Sequence, residues 1–400
     1  MSGAAAERPG GNVVSIATGE PLQIPLCDPD LTAEDLAAVE AVLRGTRLGE
    51  GPQATALEKA FAARLGRAHG LALASAPLAL MLALRARGIG PGDEVICPGH
   101  GFRETAHGIL AAGAVPVFAD IDYWSGTLSP AKAAGRIGPA TRAILAANTA
   151  GHPADWPALR ALADAHGLFL IEDSCEAIGS RHKAGEVGTF GDVALFDFAQ
   201  PGVICCGEGA VLVTDDADLA MAVRRLARRT LAERGSVSAT MAPPLAVGMG
   251  EMVAALALSQ LARLDVLLER RRGVQAMYDG FMQSFEGIKP PYVAPDVEEV
   301  HWFLYVVHLG TRFTRSARDA VLEDMKTEAV EACAYSSPLH LQRAYRDLGW
   351  RKGDLFVTEK VADRAIALPF HAHLTPDQVA FMVARMKDAS INSGAGAAIY

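Results

Sequence analysis

Three carboxylates stand at or beside the ends of apolar runs, which is where an α/β protein presents chemistry. Asp173 follows the run at 168–172, Glu176 comes three residues later, and Asp197 follows the run at 193–196. Brought together, such acids could bind a cation, an amine substrate or a metal. Alone, each could equally satisfy backbone amides at a strand end. A second group is His100 with Glu104 in the loop GHGFRET, whose types suit a general acid/base pair. A third is the adjacent pair Cys205 and Cys206, flanked by apolar residues, where packing is the commoner role and a nucleophile the rarer one. The stretch 193–214 around these cysteines reads as a buried strand, a turn, a Gly-Glu-Gly corner and a second strand.

The elements that must position these groups follow from periodicity. Short apolar runs at 71–74, 94–97, 115–119, 143–147, 168–172, 193–196 and 210–213 alternate with helical stretches, among them 78–87, 105–112 and 156–166. That alternation predicts a mostly parallel sheet with helices on both faces. Thr32 with Asp35 predicts a capping box for a helix over 33–44, closed by Gly45. A long helix over about 250–285, with Arg270, Arg271 and Arg272 as a solvated face, is expected to lead into a smaller domain. The expected division is a flexible segment 1–20, a large domain 21–265, a small α+β domain 266–388 and a flexible tail 389–400.

Composition sets the class. The 400 residues are half hydrophobic, enough for a large core, and the net charge of −9 comes without a basic cluster, which argues against nucleic acid or an anionic membrane as partner. The six cysteines show no framework spacing and suit a reducing compartment. No apolar run approaches the roughly 18 residues of a membrane span. A soluble, cytoplasmic protein is expected.

Several segments together resemble the DegT/StrS family of sugar aminotransferases, pyridoxal phosphate (PLP) enzymes of the aspartate aminotransferase fold. The resemblance runs through residues 24–48, PGDEVICP at 91–98, GAVPVFADID at 113–122, HGLFLIEDSCEAIGS at 166–180, GEVGTFGDVALFDF at 185–198 and SSPLHLQRAY at 336–345. It implies a three-layer fold type I large domain followed by the smaller carboxy-terminal domain. It also implies a cofactor, PLP or its amine form pyridoxamine phosphate (PMP), and a site built from two chains. Over 196–209 the family pattern F-S-F-x-x-x-K-N-x-x-x-G-E-G-G puts the Schiff-base lysine on Gly202. Glycine has no amine.

The resemblance assigns the other cofactor positions one by one. Asp173 takes the place of the aspartate that holds the pyridine nitrogen protonated, and Phe102 that of the aromatic stacked on the ring. The phosphate loop S-G-T reads Ser75-Ala76-Pro77, and Pro77 offers neither hydroxyl nor amide hydrogen. The serine of F-S-F, a second phosphate ligand, is Asp197, whose charge would oppose a phosphate dianion by several kcal/mol at an effective dielectric of about 20. Glu176 stands for a glutamine. The asparagine and arginine that serve the site fall on Ala246 and Gly248, while Glu251, Ala254 and Ala255 still match. Gly202, Asp197 and Pro77 thus argue against PLP or PMP.

Three functions stay open. One is a pseudoenzyme acting as a partner subunit, a homodimer or a heterodimer with a catalytic paralogue. Another is an enzyme with changed chemistry, using Asp173, Glu176 and Asp197, or His100 and Glu104, in nucleotide-sugar or natural-product biosynthesis. The third is a PLP- or PMP-dependent aminotransferase or dehydratase with unconventional cofactor binding. Trp302, Tyr335, Pro338, Leu339 and His340 match segments near the family's sugar channel, so a nucleotide sugar is a possible ligand. Leu258, Leu261, Leu264 and Leu268, at helical spacing, suggest a dimer surface.

Overall fold

Apolar strands buried on both faces need helices on both sides, and the computed structural model, which describes residues 24–101, 105–228, 245–282 and 287–395, has them. Seven strands form the main sheet: β1 His69–Leu73, β2 Glu94–Pro98, β3 Val115–Ala119, β4 Thr141–Ala147, β5 Phe169–Asp173, β6 Val193–Asp197 and β7 Ala210–Thr214. Their order is β1-β7-β6-β5-β4-β2-β3. Neighbours are parallel except at β7, which runs antiparallel to both β1 and β6. Alternate residues face opposite sides. Leu71, Val95, Leu145 and Ile171 pack under α3 Ala76–Ala86 and α4 His107–Ala112. On the other face Ile96, Ile144 and Leu170 pack against α5 Trp156–His166, and Ala194, Phe196 and Val211 against α2 Pro52–Leu65.

Local signals account for most boundaries. Thr32 and Asp35 form the expected capping box on α1 Ala33–Leu43, and α5 spans the predicted residues, with Asp155 capping it and Gly167 in the left-handed conformation ending it. α6 Ala217–Ala227 covers β7 and starts from the cap of Asp216.

The long helix expected over 250–285 is two helices, α7 Glu251–Ala262 and α8 Leu264–Met282, broken at Arg263, with 283–286 outside the described residues. Arg263 closes the break by pairing with Asp30, just before α1, and with Asp35 in its first turn. The arginine run is not one solvated face. Arg270 pairs with Asp30 and Arg272 with Glu269 and Glu299, but Arg271 is buried and donates to the carbonyls of Phe370, Trp302 and Phe303. The leucine stripe likewise turns inward. Leu261, Leu264 and Leu268 belong to the core with Phe196 and Phe198, and Leu258 packs against it.

A second sheet, β8 Ile288–Lys289, β9 Tyr305–Leu309, β10 Cys333–Ala334 and β11 Ala365–Leu368, has the order β8-β9-β11-β10 and antiparallel pairing throughout. Its core includes Tyr278 of α8, Val321 of α9 Arg315–Thr327 and Met382 of α11 Pro376–Ser390, and also Ile24, which bridges to Val330. Asp120, after β3, holds the amino end of α10 Phe356–Ala362, its Oδ1 accepting from Thr358 N at 2.7 Å and its Oδ2 from Val357 N at 3.0 Å. α11 crosses residue 389, with Ala389 and Ser390 buried, and a π-helical turn continues to Ala395. The amino-terminal stretch 1–20 lies outside the described residues.

Candidate functional site

The carboxyl ends of parallel strands are where such a sheet presents ligand-facing groups. After β1 the chain turns through Ser75 into α3. Ser75 is the amino-terminal cap in extended conformation, yet its own side chain makes no capping bond. Asp197, at the end of β6, supplies an acceptor instead: its Oδ2 accepts from Ala76 N at 3.2 Å and its Oδ1 from Ala199 N at 2.7 Å. The two segments that the resemblance assigns to one phosphate therefore do meet, with a carboxylate at their junction.

Beyond Asp197 the chain turns through Gly202 and returns by the corner of Gly207 and Gly209, whose φ of +93° and +146° suit glycine. A Cβ on Gly202 would lie 3.1 Å from Ile204 O and 3.2 Å from Ala199 O, so a side chain there requires both carbonyls to give way. Gln260 of α7 holds the turn by accepting from Cys205 N and donating to Cys205 O, each at 2.8 Å. Burial pushes the Cys206 thiol well above its ordinary pKa, so packing describes it better than nucleophilic work. All six cysteines lie among the described residues, and none forms a disulfide.

Asp173, at the end of β5, is buried and its Oδ1 accepts from Cys175 N at 3.1 Å. Burial raises its pKa; hydrogen bonds from Cys175 and Thr105 oppose the shift and the charge of Asp197 adds to it. Glu176 Oε2 accepts from Ala150 N at 2.6 Å and from the Tyr335 hydroxyl. Each acid is thus engaged by backbone donors, the Asx-like use of a carboxylate at a strand end. Among the described residues no group of three or more His, Cys, Asp or Glu is arranged to hold a metal.

His100 is buried with Asp173 along one cavity, which Asn148, Thr149, Glu176 and Leu339 also line. Its Nδ1 faces Gly126 O at 3.3 Å and its Nε2 Tyr335 O at 3.5 Å. Burial lowers its pKa although both carbonyls favour the charged form, and a neutral ring can donate to only one of them. Phe102 and Glu104 lie outside the described residues. Ser75 stays at the head of α3. Ala246 has φ +55°, a conformation that costs alanine more than asparagine, and a Cβ on Gly248 would lie 2.4 Å from Glu50 Oε2. Glu50 itself pairs with Arg228.

No lysine lines this cavity or the neighbouring one between Cys175, Asp197, Phe198 and Val203. Lys59, Lys132, Lys183, Lys289, Lys326 and Lys352 are exposed, and Lys360 and Lys387 are half-buried on α10 and α11.

A model of the DegT/DnrJ/EryC1/StrS aminotransferase family matches residues 29–387. The chain belongs to that family. It is 31% identical over 376 residues to the spore coat polysaccharide biosynthesis protein SpsC of Bacillus subtilis (strain 168), covering 91% of this chain and 96% of the relative. Among solved structures it is similar to S. venezuelae DesV in complex with a ketimine intermediate, at 33% identity and a TM-score of 0.83, covering 92% of this chain and 98% of that one. The aminotransferase TlmJ from Streptoalloteichus hindustanus matches at 28% identity and a TM-score of 0.82, over 92% and 98% of the two chains. The fold is the type I fold of PLP-dependent aminotransferases in this family.

Two features of the site escaped the sequence. Asn148 and Thr149 follow β4 and line the cavity, as residues after a parallel strand should, and lie outside the segments that carry the resemblance. The link from Glu176 to Tyr335 joins residues 159 apart, and no local pattern announces it.

Proposed function

We propose that this member of the family does not perform lysine-dependent transamination and acts as a binding or partner subunit, as a homodimer or with a lysine-bearing paralogue. The observation that carries this reading is at Gly202, where the family pattern expects the amine and where a Cβ would meet two carbonyls, while six of the eight lysines are exposed and the other two, Lys360 and Lys387, lie half-buried on α10 and α11, away from the cavity lining. The residues around the cavity do not fit PLP or PMP. Asp197 already engages the amide that begins α3, and Pro77 has no donor to add. We therefore assign no step of transamination to this chain. The engagement of Asp173, Glu176 and Asp197 by backbone amides favours the subunit reading over one in which these acids serve new chemistry.

A dimer draws support from exposed apolar residues rather than from the leucine stripe. Leu48 and Met252 are 50% and 38% exposed at the start of α7, where Leu48 O accepts from Glu251 N. The channel-side residues Tyr335 and Leu339 leave a nucleotide sugar as a ligand class to test. No helix among the described residues is long and apolar enough to cross a membrane.

The test is borohydride reduction of the purified protein with PLP, followed by peptide mass mapping. No stoichiometric pyridoxyl adduct is expected. A full adduct on one specific lysine would overturn the reading and put that lysine at the centre of an aminotransferase mechanism.

A further inference from the structure

The amino end of a buried helix leaves backbone N–H groups without intrahelical partners and favours an anion there. α3 is such a helix: Ala79, Leu80, Leu82 and Ala83 are fully buried, so its start is fixed in the core. Three facts describe how that end is completed. Ser75 makes no side-chain cap, Pro77 removes one N–H from the first turn, and the Asp197 carboxylate takes Ala76 N. The acid is held in place by its own strand, paired with Ala210 across β7, and by Ala199 N on its second oxygen.

We propose that Asp197 is a resident anion, a covalently tethered substitute for the phosphate group that the end of α3 would otherwise bind. The inference rests on the same Asp197 contact that the subunit reading uses and deepens it by naming the ligand class that this end of the cavity excludes. Its consequence is for ligand class: this end of the cavity refuses phosphomonoesters and similar dianions, and the protein folds complete without one. Ligands that enter meet a negative end and must be neutral or cationic there. The substitution also explains why Pro77 is tolerated, because one carboxylate oxygen needs fewer amide donors than the three oxygens of a phosphate.

Inorganic phosphate is the probe, used on the full chain with Asp197→Ser and Asp197→Asn variants against sodium chloride at matched ionic strength. In chloride, Asp197→Ser should lose about 2 °C in thermal midpoint, as expected for a lost helix cap in a chain of this size. Phosphate should restore it in a saturable way, and phosphorus NMR should show binding to the variant. The wild type should show neither effect. Asp197→Asn, which keeps an acceptor and loses the charge, should fall between them and supplies the same comparison if the serine variant does not fold. Phosphate-specific stabilisation of the wild type equal to that of the variants would overturn the proposal, as would variants that match the wild type in chloride and bind no phosphate. Either failure leaves the borohydride result standing, whereas a lysine adduct in the wild type would sink the subunit reading without deciding which anion sits at α3.

Discussion

Glu176, three residues past β5, and Tyr335, just past β10, are linked by one hydrogen bond, the phenol donating to the Oε2 that also accepts from Ala150 N. Tyr335 stays protonated because burial and the adjacent carboxylate both raise its pKa well above 10. The same residue presents its carbonyl to His100, so the cavity wall and the second sheet share a support.

Removing that phenol is the first test of the arrangement. Tyr335→Phe keeps the ring and leaves Glu176 with one donor fewer; a bond to a charged group of this kind is worth about 1.5–3 kcal/mol. Denaturant unfolding should show a loss in that range. Glu176→Gln, which installs the family's residue, keeps an acceptor for both donors and should cost less. Equal losses in both would show that the pair is not held by the carboxylate.

Arg271 is the second. Its guanidinium lies 4.6 Å from the Phe370 ring centroid and serves three backbone carbonyls, and burial lowers its pKa to about 10. Arg271→Met strands three acceptors in the core, so a loss of about 3 kcal/mol or more is expected. Arg272→Met removes only exposed pairs and should cost under about 1 kcal/mol. Thermal midpoints of the two variants should differ clearly, and equal values would refute the assignment.

These arginines show where the sequence is legible. The capping box at Thr32, the limits of α5 and the seven apolar runs are local signals, and the structure follows them. The break at Arg263 is not local, since the leucines continue at helical spacing across it and only the distant Asp30 and Asp35 reward the interruption. Arg271 reads like its neighbours because its partners are backbone carbonyls, which have no sequence signature. Asp197 is legible as a charge facing a phosphate position. That it reaches Ala76 N is not, because two positions that share a ligand in a family need not touch each other.

Acid lability is the third prediction. Burial holds His371 down to about 4 against the pull of Asp28, compared with an ordinary 6.5. The unfolded chain therefore binds more protons between these values, and stability is fully present above pH 6.5 and lost as pH falls toward 4. The shift corresponds to about 3 kcal/mol for this group. His371→Gln should flatten that limb of a denaturation midpoint measured from pH 7 to 4.5. An unchanged slope would place the acid sensitivity elsewhere.

The last prediction asks whether the lost amine alone excludes the cofactor. Gly202→Lys supplies an amine while Asp197 and Pro77 stay, so an aldimine would have to form over an anion site already filled, and the new Cβ would press on Ile204 O and Ala199 O at 3.1 and 3.2 Å. The triple change Gly202→Lys, Asp197→Ser and Pro77→Thr frees the end of α3 and returns a hydroxyl and an amide donor to it. It should bind PLP at least about tenfold more tightly than the single mutant, which corresponds to about 1.4 kcal/mol. Coupling between the sites is expected because all three would touch one ligand. Aldimine absorbance titrated across the series reads this directly, with the double change Asp197→Ser and Pro77→Thr as the control that lacks the amine. If the single lysine variant binds as tightly as the triple, the carboxylate at α3 is not what keeps the cofactor out, and the missing amine would be the whole of the difference.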